Sequence, residues 1–237
     1  MIHPMTDIHQ HLLWGIDDGA ETQKGMQAML VEADRQGICA VAATPHAQPG
    51  VHPFDMGLYH ERLSEARYFC ETQQLKVNVI SGAEVAWTWQ TVSALRRGTV
   101  STLGDTDYVL VELWRDISWQ MAKDAVNQLI RAGYCPVLAH VERYLAFQLS
   151  PKTVMRLRHE SGALLQVNAD ALLYTRVGLE HRFIRTLLRE RSIDVVASDA
   201  HNCHERPISM KEAYEWLAVH TDEAYAQHLT NFGGVFP

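Results

Sequence analysis

Seven short runs rich in apolar and β-branched residues recur along this chain, and between them lie longer stretches with apolar residues at helical spacing. The runs are residues 6–11, 38–45, 76–84, 107–113, 135–141, 163–169 and 193–200, and helical patterns stand out at 22–36, 119–132 and 179–191. Such alternation predicts successive βα units on a parallel sheet, because a parallel strand reaches its neighbour only through a crossover. Gly37, Gly133 and Gly162 follow helical patterns where a left-handed cap is expected. No linker, charge block or low-complexity segment interrupts the series, so the pattern predicts one α/β domain over residues 1–237, closed or nearly closed into a barrel. An open doubly wound sheet is the competing architecture.

Nearly every run ends in a side chain that can ligate a metal. The first carries His9 and His11, the second runs into His46, the third into Glu84, the fourth into Glu112, the fifth into His140, and the seventh into Asp199 and His201. In a parallel barrel these ends share one face, where such folds build their sites. His9 and His11 are two apart, as are Asp199 and His201, and residues i and i+2 of an extended strand point to the same side, so each pair is expected to grip one ion. A single histidine or acid at a strand end is ordinarily a hydrogen-bonded structural group. Eight of them at six of seven ends are a different matter, since buried charges are costly unless paired or coordinated.

The chain has 13 histidines, roughly twice average usage. His3, His52, His60, His159, His181, His204, His220 and His228 lack matching partners and read as solvated surface residues, with His52 and His204 in loops near the expected site. A net charge of −7 argues against a nucleic-acid partner. Cys39, Cys70, Cys135 and Cys203 show no zinc-knot or redox spacing; no disulfide is expected, and Cys39 and Cys135 are expected to pack as small hydrophobes. The start MIHPMTDIHQH has no basic flank and apolar core of a secretory signal, and no apolar run approaches 18 residues, so a cytoplasmic protein without membrane insertion is expected.

Imidazoles and carboxylates without thiolate suit manganese, iron or zinc better than copper or magnesium. So many ligands imply more than one ion, and ions a few ångströms apart can hold a hydroxide at neutral pH, which is hydrolase chemistry. Arg143 follows His140 and Arg206 follows His201, and a guanidinium matches phosphate oxygens bidentately, so a phosphoester becomes the natural substrate.

DIHQH with a following DDG, then TPH, GAE, VE, AHVERY, VNA and SDAHN with a nearby RP, running in order from about residue 6 to 207, resemble the PHP superfamily and within it the bacterial CpsB-like protein tyrosine phosphatases of capsule and exopolysaccharide operons. The resemblance implies a distorted (β/α)7 barrel with two to three ions, manganese foremost and iron or zinc as alternatives. It implies one ion held by His9, His11, Glu84 and Asp199, a second sharing Glu84 with Glu112 and His140, and a third on Asp18, His46 and His201. Spacing does not choose between Asp17 and Asp18; the DDG match selects Asp18 and leaves Asp17 structural. Arg143 and Arg206 match the arginines that bind phosphate and steady the transition state. The implied activity is metal-dependent hydrolysis of phosphotyrosine in proteins by a hydroxide attacking phosphorus in line. The implied partner is the tail of a bacterial tyrosine kinase that regulates polysaccharide export. The stretches VAWTW (85–89) and VELWRDISW (111–119) are more aromatic than that family leads one to expect and would line the lip of the pocket.

The nearest rival is a histidinol-phosphate phosphatase, which uses the same barrel on a small alkyl phosphate. A polymerase-associated nuclease of the same superfamily conflicts with the acidic charge, and a non-catalytic metal-stabilised regulator would need a gap among the nine ligands. Cys203 lies two residues beyond His201, but Arg206 is only three residues further on, too close for the cradle of a cysteine phosphatase.

Overall fold

The computed structural model of the chain describes residues 3–232. Its strands are β1 (Met5–Gln10), β2 (Ile38–Ala43), β3 (His46–Ala47), β4 (Asn78–Ser81), β5 (Glu84–Ala86), β6 (Tyr108–Glu112), β7 (Cys135–Leu138), β8 (Leu164–Asn168) and β9 (Val195–Ala197). All pair in parallel, in the order β1-β2-β4 and β3-β5-β6-β7-β8-β9. β3 resumes the line of β2 beyond Thr44 and Pro45, and β5 that of β4 beyond Gly82 and Ala83, so the nine strands make seven staves. A side chain at Gly82 would come within 2.9 Å of Thr44 Cγ2, which explains glycine at this break.

The sheet curls until its ends meet. Asp199 N donates to His9 O at 2.8 Å and His11 N to Ala200 O at 2.9 Å, while the buried Asp7 carboxylate accepts Ser198 N at 3.0 Å and Gln10 Nε2 at 2.8 Å. That junction excludes the open doubly wound alternative. Among the described residues ten α-helices clothe it: α1 (Gln23–Gln36), α2 (Met56–Thr72), α3 (Thr91–Arg96), α4 (Trp119–Arg131), α5 (Leu145–Gln148), α6 (Pro151–Ser161), α7 (Ala169–Tyr174), α8 (Gly178–Arg189), α9 (Met210–His220) and α10 (Glu223–Leu229). Thr22 caps α1 by accepting Gly25 N, and Gly37 and Gly162 end α1 and α6 in the left-handed region, as expected. Gly133 stands one residue beyond the α4 cap, with φ 93°.

Apolar residues divide into two layers. Ile8, Ala42, Ile80, Leu110, Val137 and Val195 fill the barrel with Leu103 and Phe232, and a larger cluster lies between the sheet and its helices. Two expectations fail at strand edges. Cys39 and Cys135 are exposed: Cys135 opens β7 ahead of its buried residues, and Cys39 stands between the buried Ile38 and Ala40 of β2, on the other side of the strand. Six of the eight leftover histidines are exposed as expected, but His3 and His181 are half-buried, His3 stacked on Tyr214 and His181 bonded to Thr175 O. No helix among the described residues is long and apolar enough to cross a membrane.

Candidate metal centre

The nine expected ligands converge at the C-terminal ends of the strands. His9, within β1, and His11, just past it, bring their Nε2 atoms to 3.3 Å of each other. Each stands 3.3 Å from Glu84 Oε2 and 3.4 Å from Asp199 Oδ1. His9, His11 and Glu84 can thus each offer one ligand atom to a shared ion, with Asp199 Oδ1 beside the two histidines. Glu84 turns its other oxygen, Oε1, to His140 Nε2 at 2.7 Å, and His140 Nε2 is 3.8 Å from Glu112 Oε1. Asp18 Oδ1 lies 3.4 Å from Nε2 of both His46 and His201.

The grouping departs from the sequence reading in two respects. His11 lies within ligand reach of Asp18, His46 and His201 as well as of His9 and Glu84, and His46 reaches Glu84 and Glu112, with its Nδ1 2.9 Å from Glu84 Oε2. Asp199 and His201 do not act as an i, i+2 pair. β9 ends at Ala197 and Asp199 has φ 53°, so Asp199 faces His9 and His11 while His201 Nε2 turns to Asp18. His140 also sits in the left-handed region, with φ 34°, which aims its ring inward off the end of β7.

The donor set fits metal ions. Glu84 Oε2 and His201 Nε2 are buried yet meet no hydrogen-bond partner of acceptable geometry, a costly state for polar atoms unless something else occupies their lone pairs. Charges agree. Burial opposes a proton on His9 and His11, but Glu84 and Asp199 beside His9, and Asp17, Asp199 and Glu84 around His11, overcome it and raise both. Glu84 is held well below the usual carboxylate range despite complete burial, chiefly by the neighbouring His9 and by the imidazoles of His11, His140 and His46 around it. Burial and the neighbouring Glu84 push Glu112 up to about 7, and burial with the nearby His11 and Arg206 brings His201 down to about 4.

Asp17, read from sequence as structural, does a defined job. Its Oδ2 lies 2.7 Å from His11 Nδ1 and accepts His46 N at 2.9 Å, and its Oδ1 accepts Gly19 N at 3.0 Å. One carboxylate thereby orients two candidate ligands. The sequence reading also passed over β8, the one stave without a ligand. Gln166 and Asn168 there touch His9, His140 and Asp199; two polar residues at i, i+2 inside the apolar run ALLQVNA were the available signal.

Arg143 and Arg206 each place Nη2 2.8 Å from Asp199 Oδ2, the oxygen turned away from the histidines, and both side chains remain about a third exposed at 36% and 39%. They therefore border the cluster and face the mouth. Trp89 and Trp114 are exposed, and Trp114 Nε1 donates to Trp87 O at 2.8 Å. Cys203 is half-buried and burial pushes its thiol up, the reverse of what a thiolate nucleophile needs.

Tyrosine-protein phosphatase CpsB of Streptococcus pneumoniae is 29% identical over 219 residues, 90% of each chain. Tyrosine-protein phosphatase YwqE of Bacillus subtilis is 31% identical over 209 residues, 88% of this chain and 82% of the other. A solved structure from a study of these two, described there as unique metal-dependent tyrosine phosphatases, superposes with a TM-score of 0.84 at 29% identity, covering 94% of this chain and 90% of that one. Histidinol phosphate phosphatase of Lactococcus lactis, solved with zinc, histidinol and phosphate, shares the fold at a TM-score of 0.61 and 14% identity over 98% of each chain. The profile of the capsular polysaccharide synthesis proteins CpsB/CapC matches residues 5–232, and the chain belongs to that CpsB/CapC family.

Proposed function

We propose that the protein is a metal-dependent phosphotyrosine-protein phosphatase acting in capsule or exopolysaccharide synthesis. The observation that carries this reading is the split carboxylate of Glu84, one oxygen toward His9 and His11 and the other toward His140, with two arginines on the outer oxygen of Asp199. His9, His11, Glu84 and Asp199 would hold one ion, Glu84, Glu112 and His140 a second, and Asp18, His46 and His201 a third, with manganese the first candidate and iron or zinc next. When bound, such ions supply Lewis acidity and a water of lowered pKa.

The chain's own groups do the rest. Arg143 and Arg206, half-open to the mouth, bind the non-bridging phosphate oxygens and neutralise charge that builds on them. Asp17 keeps the Nδ1 proton of His11 and so aims its Nε2 into the cluster. A phenol, with a pKa of about 10, leaves more readily than an alkyl alcohol, so phosphotyrosine can be hydrolysed without a strong general acid. Trp89 and Trp114 offer flat apolar surface to the residues around the phosphotyrosine. The proposed substrate is the phosphorylated tail of a bacterial tyrosine kinase in the cytoplasm.

The test is a parallel assay of the Mn2+-loaded protein on a phosphotyrosyl peptide, a phosphoseryl peptide and histidinol phosphate. The phosphotyrosyl peptide should be preferred by kcat/KM; a preference for histidinol phosphate overturns the reading.

A further inference from the structure

We infer that the Gln166–Asn168 amide pair on β8 is a positioning element that sets the hydrogen-bond polarity of the cluster, committing His9 to one tautomer and leaving one oxygen of Asp199 free. This rests on the metal-centre reading above and adds residues that are not themselves ligands.

The chain of inference starts at a group with no ambiguity. His140 N lies 2.8 Å from the end of the Gln166 side chain. A backbone N–H can only donate, so the amide atom facing it is the oxygen, Oε1. That oxygen is also 3.2 Å from His9 Nδ1, which must therefore carry a hydrogen. The lone pair of the ring is then left on Nε2, the atom 3.3 Å from Glu84 Oε2 and 3.4 Å from Asp199 Oδ1. With Oε1 so placed, Gln166 Nε2 faces Asn168 Oδ1 at 2.7 Å, and Asn168 Nδ2 faces Asp199 Oδ2 at 2.9 Å. Oδ2 is thereby occupied by Asn168, Arg143 and Arg206, and Oδ1 alone remains for an ion.

Burial makes these bonds consequential. Gln166 is 0% and Asn168 1% exposed, so water cannot replace a lost partner. Strand alternation puts the two amides on one face of β8 while Leu165 and Val167 pack in the outer core. A carboxylate at position 166 would accept the same two donors, His9 Nδ1–H and His140 N–H, but could not donate to Asn168. The amide does both without adding to the negative charge of Asp18, Glu84, Glu112 and Asp199.

The test is Mn2+ titration calorimetry on the full chain after chelator treatment, for the parent, Gln166→Met and Gln166→Glu. Methionine removes the acceptor at similar length, and the tightest Mn2+ site should weaken by about 10- to 100-fold, the usual effect of losing an outer-shell partner of a ligand. Glutamate keeps the acceptor for His9 and His140 but cannot donate to Asn168, so it should bind Mn2+ more weakly than the parent and more tightly than the methionine variant. At saturating Mn2+ the methionine variant should regain most of its kcat with KM for a phosphotyrosyl peptide unchanged. Unchanged Mn2+ affinity in Gln166→Met, or a glutamate variant as weak as the methionine one, overturns this inference alone. A parent chain that binds no Mn2+ overturns the metal-centre reading and this inference together. If Gln166→Met does not fold, Asn168→Ala carries the same test, with an expected loss of about 10-fold in Mn2+ affinity and none meaning that the pair only packs.

Discussion

Glu84 carries more of the site than any other side chain, because its two oxygens serve different neighbours while burial leaves no water to replace either. Glu84→Ala should reduce bound Mn2+ to at most one ion per chain by elemental analysis and lower phosphatase activity by more than about 100-fold. Asp199 is held differently, with three donors on Oδ2. Arg143→Ala or Arg206→Ala alone should therefore keep the full metal content, since two donors remain, and lower kcat/KM by about 10- to 1000-fold. Metal loss in a single variant would mean that arginine is only a brace for Asp199. Protons compete with ions for His9 and His11. Both imidazoles are raised above their ordinary value in the ion-free chain, so a proton must leave as an ion enters, and Mn2+ affinity should rise from pH 6 to pH 8 in calorimetry. The Cys203 thiol is raised by burial, the reverse of what a thiolate nucleophile needs, so Cys203→Ser should retain most activity.

At the level of elements, the loop from β1 to α1 converts a strand end into a ligand cradle. Its aspartates diverge, Asp17 backing His11 and His46 while Asp18 faces the third group, and the following Gly19 makes the turn possible. A Cβ on Gly19 would lie 2.0 Å from His11 O, which no side-chain rotation relieves. Gly19→Ala should therefore displace this loop from β1, losing one of the bound ions by elemental analysis while the far-UV circular dichroism stays close to the parent's. β7 and β9 show the same economy. Both strands stop early, and His140 and Asp199 adopt positive φ, so backbone that has left the ladder is what turns their side chains inward. Extended-strand reasoning placed those residues at the right ends but mispaired Asp199 with His201.

The whole molecule is a sheet closed by polar contacts at one seam, where β9 meets β1 through Asp7, His9, His11, Asp199 and Ala200. Two of the groups at that seam, His9 and Asp199, would also hold the proposed first ion, so metal binding and barrel closure should be coupled. At Mn2+ about 100-fold above its dissociation constant, one site adds about 2.7 kcal/mol, or about 5–10 °C in Tm for a chain of this size. Chelator treatment should lower Tm by at least that amount in calorimetry and Mn2+ should restore it; an unchanged Tm would separate the ions from the seam.

Period and punctuation in the sequence determined the seven staves, the helices with Gly37 and Gly162 at their ends, and the face on which His9, His11, Glu84, Glu112 and His140 meet, because those features depend on local spacing and on parallel strands sharing a direction. The DDG motif separated Asp18 from Asp17 by resemblance where spacing could not. Only the tertiary structure decided that Glu84 splits its oxygens, that Asp17 orients ligands and that β8 contributes Gln166 and Asn168. Those outcomes hang on hydrogen bonds between residues as far apart as His9 and Gln166, and on backbone at positive φ, neither of which leaves a periodic trace in the chain. Cys39 and Cys135 make the converse point, since an apolar neighbourhood in sequence does not say which side chain of a stave meets the core.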